Sequence, residues 1–279
     1  MQDVAPANSD QYSEMLMVSS ANETYFPFVL PYALSCLYYN PGCRVEIFVP
    51  ITGDFNQRYQ SGLTEIALYY PERFRITSVP FDKAQPSVVR FIFQPTLQAR
   101  YVYIGDIDIL VLEDVISFSL EAMTRFKTRY SNIVRRNFPP PDYRLTGLHF
   151  SEYNYYYPVQ LPPDVDLTDR QWGFDEKLLY QIVAQKGPVS QELNIHSLHG
   201  FHLSHHGWPF HPRRGWGVDN ETYRSAYSKL AQSEAWRAVK PHFDRRYQII
   251  LGVLDLAIES LACFTKAELA GNFVFSGKD

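Results

Sequence analysis

Apolar and polar positions follow a regular order along the first 110 or so residues. Met15-Leu-Met-Val-Ser19 is a short apolar run between polar flanks and reads as a buried strand. A Ser-Ser-Ala-Asn-Glu-Thr loop leads into Tyr25 to Tyr39, whose apolar residues recur at helical spacing until Asn40-Pro41-Gly42 stops them. Arg44 to Val49 alternates as a second strand, Asn56 to Tyr70 is helical up to Pro71, and Phe74 to Val79 is a third strand. The spacing predicts a helix over Ser87 to Arg100 in spite of Pro95, then a fourth strand, Tyr101-Val-Tyr-Ile-Gly105. Strands alternating with helices build a mostly parallel sheet covered by helices on both faces, and such sheets bind ligands beyond the carboxyl ends of their strands.

The second half is less regular. Leu145 to Phe150 and Phe201 to Ser204 read as strands, and Asp175 to Gln185 as a helix. Phe138 to Pro163, rich in Pro and Tyr, reads as an irregular surface segment, with Tyr155 and Tyr156 as a wall for an acceptor. Helices over Glu221 to Val239 and Arg246 to Phe264 close the chain. The expected organisation is a catalytic α/β domain over 1–220 and a helical extension over 221–279 packed on it.

Composition narrows the class. The chain has 279 residues, 46% hydrophobic and 20% charged, which suits a folded globular protein and excludes a disordered or fibrous one. The aromatic share of 15% fits stacking on bases or sugar rings as well as a thick core. A net charge of −4 gives no general attraction for nucleic acid. Cys36, Cys43 and Cys263 have no metal-binding spacing and read as free thiols in a reducing compartment. The polar, acidic N-terminus lacks a signal-peptide pattern, so a cytoplasmic location is expected. Arg245, Arg246 and the apolar run after them suit docking on the main domain better than a membrane surface.

Three clusters carry chemistry. In Tyr101-Val-Tyr-Ile-Gly-Asp106-Ile-Asp108 two carboxylates end an apolar strand. Hard oxygen donors at that spacing suit Mn²⁺ or Mg²⁺ when phosphates complete the coordination. His196, His199, His202, His205, His206 and His211 crowd a later segment and offer a further ligand. Trp172-Gly-Phe-Asp175-Glu176 opens a helix, where its carboxylates serve as caps or as acid–base and sugar-contacting groups. Arg213 and Arg214, among Trp208, Phe210 and Trp216, suit a phosphate clamp or a solvated basic turn.

Together these residues resemble the GT-A glycosyltransferases. More narrowly they resemble the retaining, galactosyltransferase-like family 8 and bacterial surface-polysaccharide glycosyltransferases. The matching segments are the loop Ser19 to Tyr25, Arg90, Asp106-Ile107-Asp108 and His202-Leu-Ser-His-His-Gly-Trp-Pro-Phe210. The resemblance implies a GT-A, Rossmann-like fold with a nucleotide-sugar donor, a UDP-sugar, and a saccharide or glycan acceptor. It implies base and ribose contacts from Ser20, Asn22 and Tyr25, and a donor contact from Arg90. It also implies a cation, Mn²⁺ or Mg²⁺, on Asp106, Asp108 and His202. The family's late lysine is Trp208 here and its glycine is His205, so the diphosphate contact passes to Arg213 or Arg214. Asp175 or Glu176 would steady a cationic sugar face in a retaining enzyme, or act as base in an inverting one. The rival readings are a haloacid-dehalogenase-like phosphatase and a non-catalytic nucleotide-sugar-binding protein. The first wants its acidic motif on strand one and a Thr or Val where Leu110 stands.

Overall fold

In the computed structural model, which describes residues 13–51, 54–135, 138, 142–189, 199–203, 217 and 220–262, the apolar runs of the N-terminal half are strands of one sheet. They are β1 (Ser13–Ser20), β2 (Cys43–Pro50), β3 (Phe74–Val79) and β4 (Ala99–Ile104). Helices α1 (Val29–Tyr39), α2 (Phe55–Tyr69) and α3 (Pro86–Ile92) connect them. From Met15 to Ser20 every residue of β1 is buried, because both sheet faces are covered; a continuous apolar run marks such a strand. α3 ends at Ile92, short of the helix expected to Arg100: Phe93 is extended, and Pro95 cannot continue a helix.

The next apolar run, Ile109–Val111, is a separate short strand, β5. After it, α4 (Val115–Phe126) was not anticipated, although Asp114 caps it by accepting from the Ile116 and Ser117 amides. β6 (Tyr130–Ser131) and β7 (His149–Glu152) extend the main sheet, whose order is β3-β2-β1-β4-β7-β6. The first four strands are parallel; β7 runs antiparallel to β4, and β6 to β7. β8 (Gly200–His202) pairs antiparallel with β5, with Ile109 opposite His202. This mostly parallel sheet with helices on both faces is the GT-A-like, Rossmann-like arrangement expected from the sequence.

The stretch Phe138 to Pro163 departs from expectation. It contains β7 and a helical turn, α5 (Tyr153–Tyr156), and Tyr153, Tyr156 and Tyr157 are buried. Tyr156 has no exposed surface and donates its hydroxyl to the Phe91 carbonyl at 3.0 Å. It is therefore a core residue with a satisfied polar tip, and no acceptor wall. Tyr155 stacks on Tyr130 under the Arg129 guanidinium.

After α6 (Phe174–Ala184) and β8, the described chain closes with α7 (Glu221–Gln232), α8 (Glu234–Val239) and α9 (Arg245–Ala262). The single helix expected over Glu221 to Val239 is broken at Ser233, which turns extended and caps α8 by accepting from the Trp236 amide. Tyr227, Leu230, Trp236 and Tyr247 join the core formed by β1, β2 and α1. Tyr39 donates to the Ala226 carbonyl at 2.6 Å, and Arg58 pairs with Asp244 at 2.5 Å. Among the described residues, no helix is long and apolar enough to cross a membrane. Cys36 and Cys43 are free and buried; Cys263 lies outside the described residues.

Candidate functional site

The sheet order reverses direction beside β1: the chain moves from β1 outward to β2 and β3, then returns to place β4 on the other side. Such a switch point opens a crevice at the carboxyl ends of the two strands, because the connections leave in opposite directions. Ser20 and Asn22 lie at the end of β1, and Asp106 and Asp108 follow the end of β4. A cavity of about 140 Å³ fills this crevice. Ser20, Asn22, Tyr25, Arg90, Asp106, Asp108 and Asp175 all line it, together with Pro86, Ser87 and Ile107.

Each side chain is held by its own element. The Asn22 carbonyl accepts from the amides of Tyr25 and Phe26, which folds the loop back over the crevice. The Asn22 Oδ1 is buried and, among the described residues, has no hydrogen-bond partner. Ser20 Oγ donates to the Pro86 carbonyl at 3.1 Å, tying the loop to the start of α3. From the last turn of α3, Arg90 reaches Asp106 at 2.6 Å and Asp175 at 3.3 Å, its side chain 7% exposed. Burial works against the Arg90 charge, yet the surrounding carboxylates outweigh it and raise its pKa. Asp106 moves the other way from an ordinary paired carboxylate: burial raises it in spite of Arg90.

The β5–β8 pair explains His202. Leu203 donates its amide to the Asp108 carbonyl at 2.7 Å, and Ile109 faces His202 across the ladder. His202 Nε2 thereby comes within 3.3 Å of Asp108 Oδ2. Burial opposes the imidazolium, but Asp108 raises the His202 pKa overall. β8 itself is anchored upstream, where His199 Nδ1 meets Glu113 Oε1 at 2.7 Å between the rings of Tyr103 and Phe118.

Two carboxylates at one edge of the cavity are hard oxygen donors that suit Mn²⁺ or Mg²⁺ with diphosphate oxygens, and the imidazole beside Asp108 is a borderline donor that favours Mn²⁺. Asp106, Asp108 and His202 are the residues that could hold such a cation, and Asp108 and His202 are already in contact. In the present geometry Asp106 Oδ1 faces Arg90, and among the described residues no three such side chains stand together as a metal site.

Glu176 is turned away from the cavity: its Oε1 meets Arg135 Nη2 at 2.5 Å, and its Oε2 is buried with no partner among the described residues. Burial pushes this carboxyl up to about 7, against the pull of Arg135. His196, His205, His206, His211, Arg213, Arg214, Trp208, Phe210 and Trp216 lie outside the described residues. Sequence reasoning missed Ser87 and Gly147. A Cβ on Gly147 would stand 2.9 Å from Arg90 Nη2 and 3.0 Å from Asp106 Oδ2, so this position floors the charged cluster. Its only signal in the sequence is a glycine between Thr146 and Leu148, too common to single out.

No family model matches the chain, and no curated protein does. Among solved structures it is similar to an active-site mutant of LgtC, with 12% identity and a TM-score of 0.37 over 50% of this chain and 58% of that one. It is similar to the glycosyltransferase GlyE of Streptococcus pneumoniae, with 11% identity and a TM-score of 0.36 over 52% of this chain and 35% of that one. A third is a 4-diphosphocytidyl-2C-methyl-D-erythritol synthase from Anaerococcus prevotii, with 10% identity and a TM-score of 0.35 over 55% and 81%. The chain thus spans 58% of the length of the LgtC structure it matches. The strand order and the helices on both faces give the chain a mixed α/β, Rossmann-like fold of the GT-A kind, with an acidic pair at its switch point.

Proposed function

We propose that the chain is a metal-dependent glycosyltransferase that moves a hexose from a nucleotide-diphosphate sugar, a UDP-sugar, to a hydroxyl of a saccharide or glycan acceptor, with retention at the anomeric carbon. One observation carries the reading. Residues from the β1 loop, α3, the end of β4 and the start of α6 line one cavity, at whose edge Asp108 meets His202.

Asp106, Asp108 and His202 would hold the cation, which as a Lewis acid supplies stabilisation of the negative charge gathering on a diphosphate leaving group. The buried Asn22 Oδ1 is an acceptor suited to a ring N–H such as that of uracil, with Ser20 and Tyr25 beside it. Arg90 offsets part of the negative charge of Asp106 and Asp175, letting carboxylates share a small volume with an anionic donor. Asp175 contributes negative charge toward the cationic sugar face. Already engaged by Arg90, it is poorly disposed to serve as an inverting base. Glu176, outside the cavity and against Arg135, acts on this site only through the charge at the start of α6. In the retaining reaction the departing diphosphate takes the acceptor proton. Arg213 and Arg214, the candidates for the diphosphate, lie outside the described residues.

The test is calorimetric titration of UDP into the protein with Mn²⁺ and then with chelator, for the wild type and Asp108→Ala. Binding that needs both the metal and Asp108, followed by slow hydrolysis of a UDP-sugar, is the expected result. UDP binding that ignores the chelator and the substitution would overturn the reading.

A further inference from the structure

A second cavity, of about 220 Å³, lies on a neighbouring flank of α6. Phe174, Lys177 and Gln181 line it, spaced to form one stripe of the helix, whereas Asp175 belongs to the donor cavity. Phe174 and Asp175 are consecutive, so the two cavities flank the first turn of α6 on different sides. At about 220 Å³ the second is smaller than the roughly 300–1,000 Å³ that encloses a drug-sized ligand, and suits a single ring.

Trp172 stands on this cavity with 73% of its surface exposed, and it is held firmly. Its carbonyl accepts from Arg144 Nη1 at 2.8 Å, and the Arg144 guanidinium packs over Phe138 at 4.0 Å and over the Trp172 ring at 5.3 Å. Gly173 makes this arrangement feasible. It sits at φ 72°, and a Cβ there would fall 1.9 Å from Arg144 Nη1. The Trp172 backbone is therefore anchored, and the exposed indole is backed by Arg144 and Phe138.

The polar groups around the indole define the ligand. Asp142 pairs with both cations of the cavity, Arg144 at 2.8 Å and Lys177 at 2.9 Å, and hydrogen bonds from the two hold its carboxyl below the ordinary range. Asp164, Asp169, Gln171 and Gln181 add carboxylates and amides, and among the described residues no further cation lines the cavity. Two cations thus stand among three carboxylates, which disfavours an anionic ligand and offers acceptors to hydroxyl donors. An aromatic face ringed by planar acceptors and amides matches a sugar ring, with an apolar C–H face and equatorial hydroxyls.

We propose that this cavity binds one neutral hexopyranose unit of the saccharide acceptor, stacked on Trp172, at a subsite apart from the reacting hydroxyl. The word acceptor rests on the transferase reading; the saccharide site itself does not. The experiment is saturation-transfer NMR with lactose, maltose, cellobiose and sialyllactose, without nucleotide or metal, on wild type, Trp172→Ala and Trp172→Phe. The expected result is binding of at least one neutral disaccharide, about tenfold weaker in Trp172→Ala and largely kept in Trp172→Phe. Folding and Mn²⁺-dependent UDP binding are unchanged in both variants. No binding of any neutral disaccharide, undiminished binding in Trp172→Ala, or preference for sialyllactose would each overturn the proposal. Saccharide binding alongside failed UDP binding would sink the transferase reading and leave this site standing.

Discussion

Arg90 is the residue whose removal tests the charge logic of the site most directly. Its guanidinium is almost fully buried, 2.6 Å from Asp106 and 3.3 Å from Asp175, and rests 4.5 Å from the Phe91 ring. Arg90→Met keeps most of the packing volume and deletes the charge, leaving two neighbouring carboxylates without their common cation. Breaking a buried pair in this way costs about 3–5 kcal/mol. Here the Asp106 and Asp175 side chains are 29% and 19% exposed, so water repays part of the loss. A destabilisation of about 2–3 kcal/mol remains, a Tm drop of about 4–12 °C for a chain of this size. Arg90→Lys restores the charge as a single point without the planar fork, reaches one carboxylate well, and should recover about half of the loss. Thermal and urea unfolding without nucleotide read this apart from function, and UDP titration of the same variants then reads the site. A Met variant that melts with the wild type, or a Lys variant no better than Met, would refute the reasoning that Arg90 holds these carboxylates in place.

Two further outcomes are expected. Glu176 holds its proton more tightly in the folded state, up to about 7 through burial, so its contribution to stability is full below the unfolded carboxyl range and is lost as pH rises through about 7. Glu176→Gln removes that loss, so in urea melts the variant gains about 2–3 kcal/mol on the wild type between about pH 5 and 8; a constant difference would sink this account. Gly147→Ala brings a methyl to 2.9 Å from Arg90 Nη2 and 3.0 Å from Asp106 Oδ2, so both must give way. Mn²⁺-dependent UDP affinity should fall about tenfold in calorimetry with only a small change in Tm, and unchanged affinity would show that Gly147 does not shape the cavity.

Local pattern carried much of the fold because the parallel half of the sheet is buried on both faces. Continuous apolar runs such as Leu16 to Val18 and Val102 to Ile104 announce strands of that kind whatever surrounds them. The misreadings arose where local and tertiary signals diverge. Tyr153, Tyr156 and Tyr157 look like surface by composition, yet they are core because their segment packs against β4 and Tyr156 reaches Phe91 of α3. The helix expected over Ser87 to Arg100 yielded to Pro95, and the one over Glu221 to Val239 yielded to the Ser233 cap.

The site divides the same way. Asp106 and Asp108 were legible because charge directly after an apolar strand is costly unless used, and Asn22 and Ser20 because they occupy the loop that ends β1. Contacts between distant segments were not legible. Arg90 meets Asp175 across 85 positions. Glu176 differs from Asp175 by one residue, yet the helical rotation between them sends one to Arg135 and the other to the cavity. What the sequence determined by itself was the strand–helix alternation and the kinds of group available at strand ends, since both follow from period and residue chemistry. Which carboxylate of the Asp175–Glu176 pair faces the cavity and which aromatic stays exposed were decided by tertiary structure alone. Those choices depend on strand register, helix phase and close approach, which no single segment encodes.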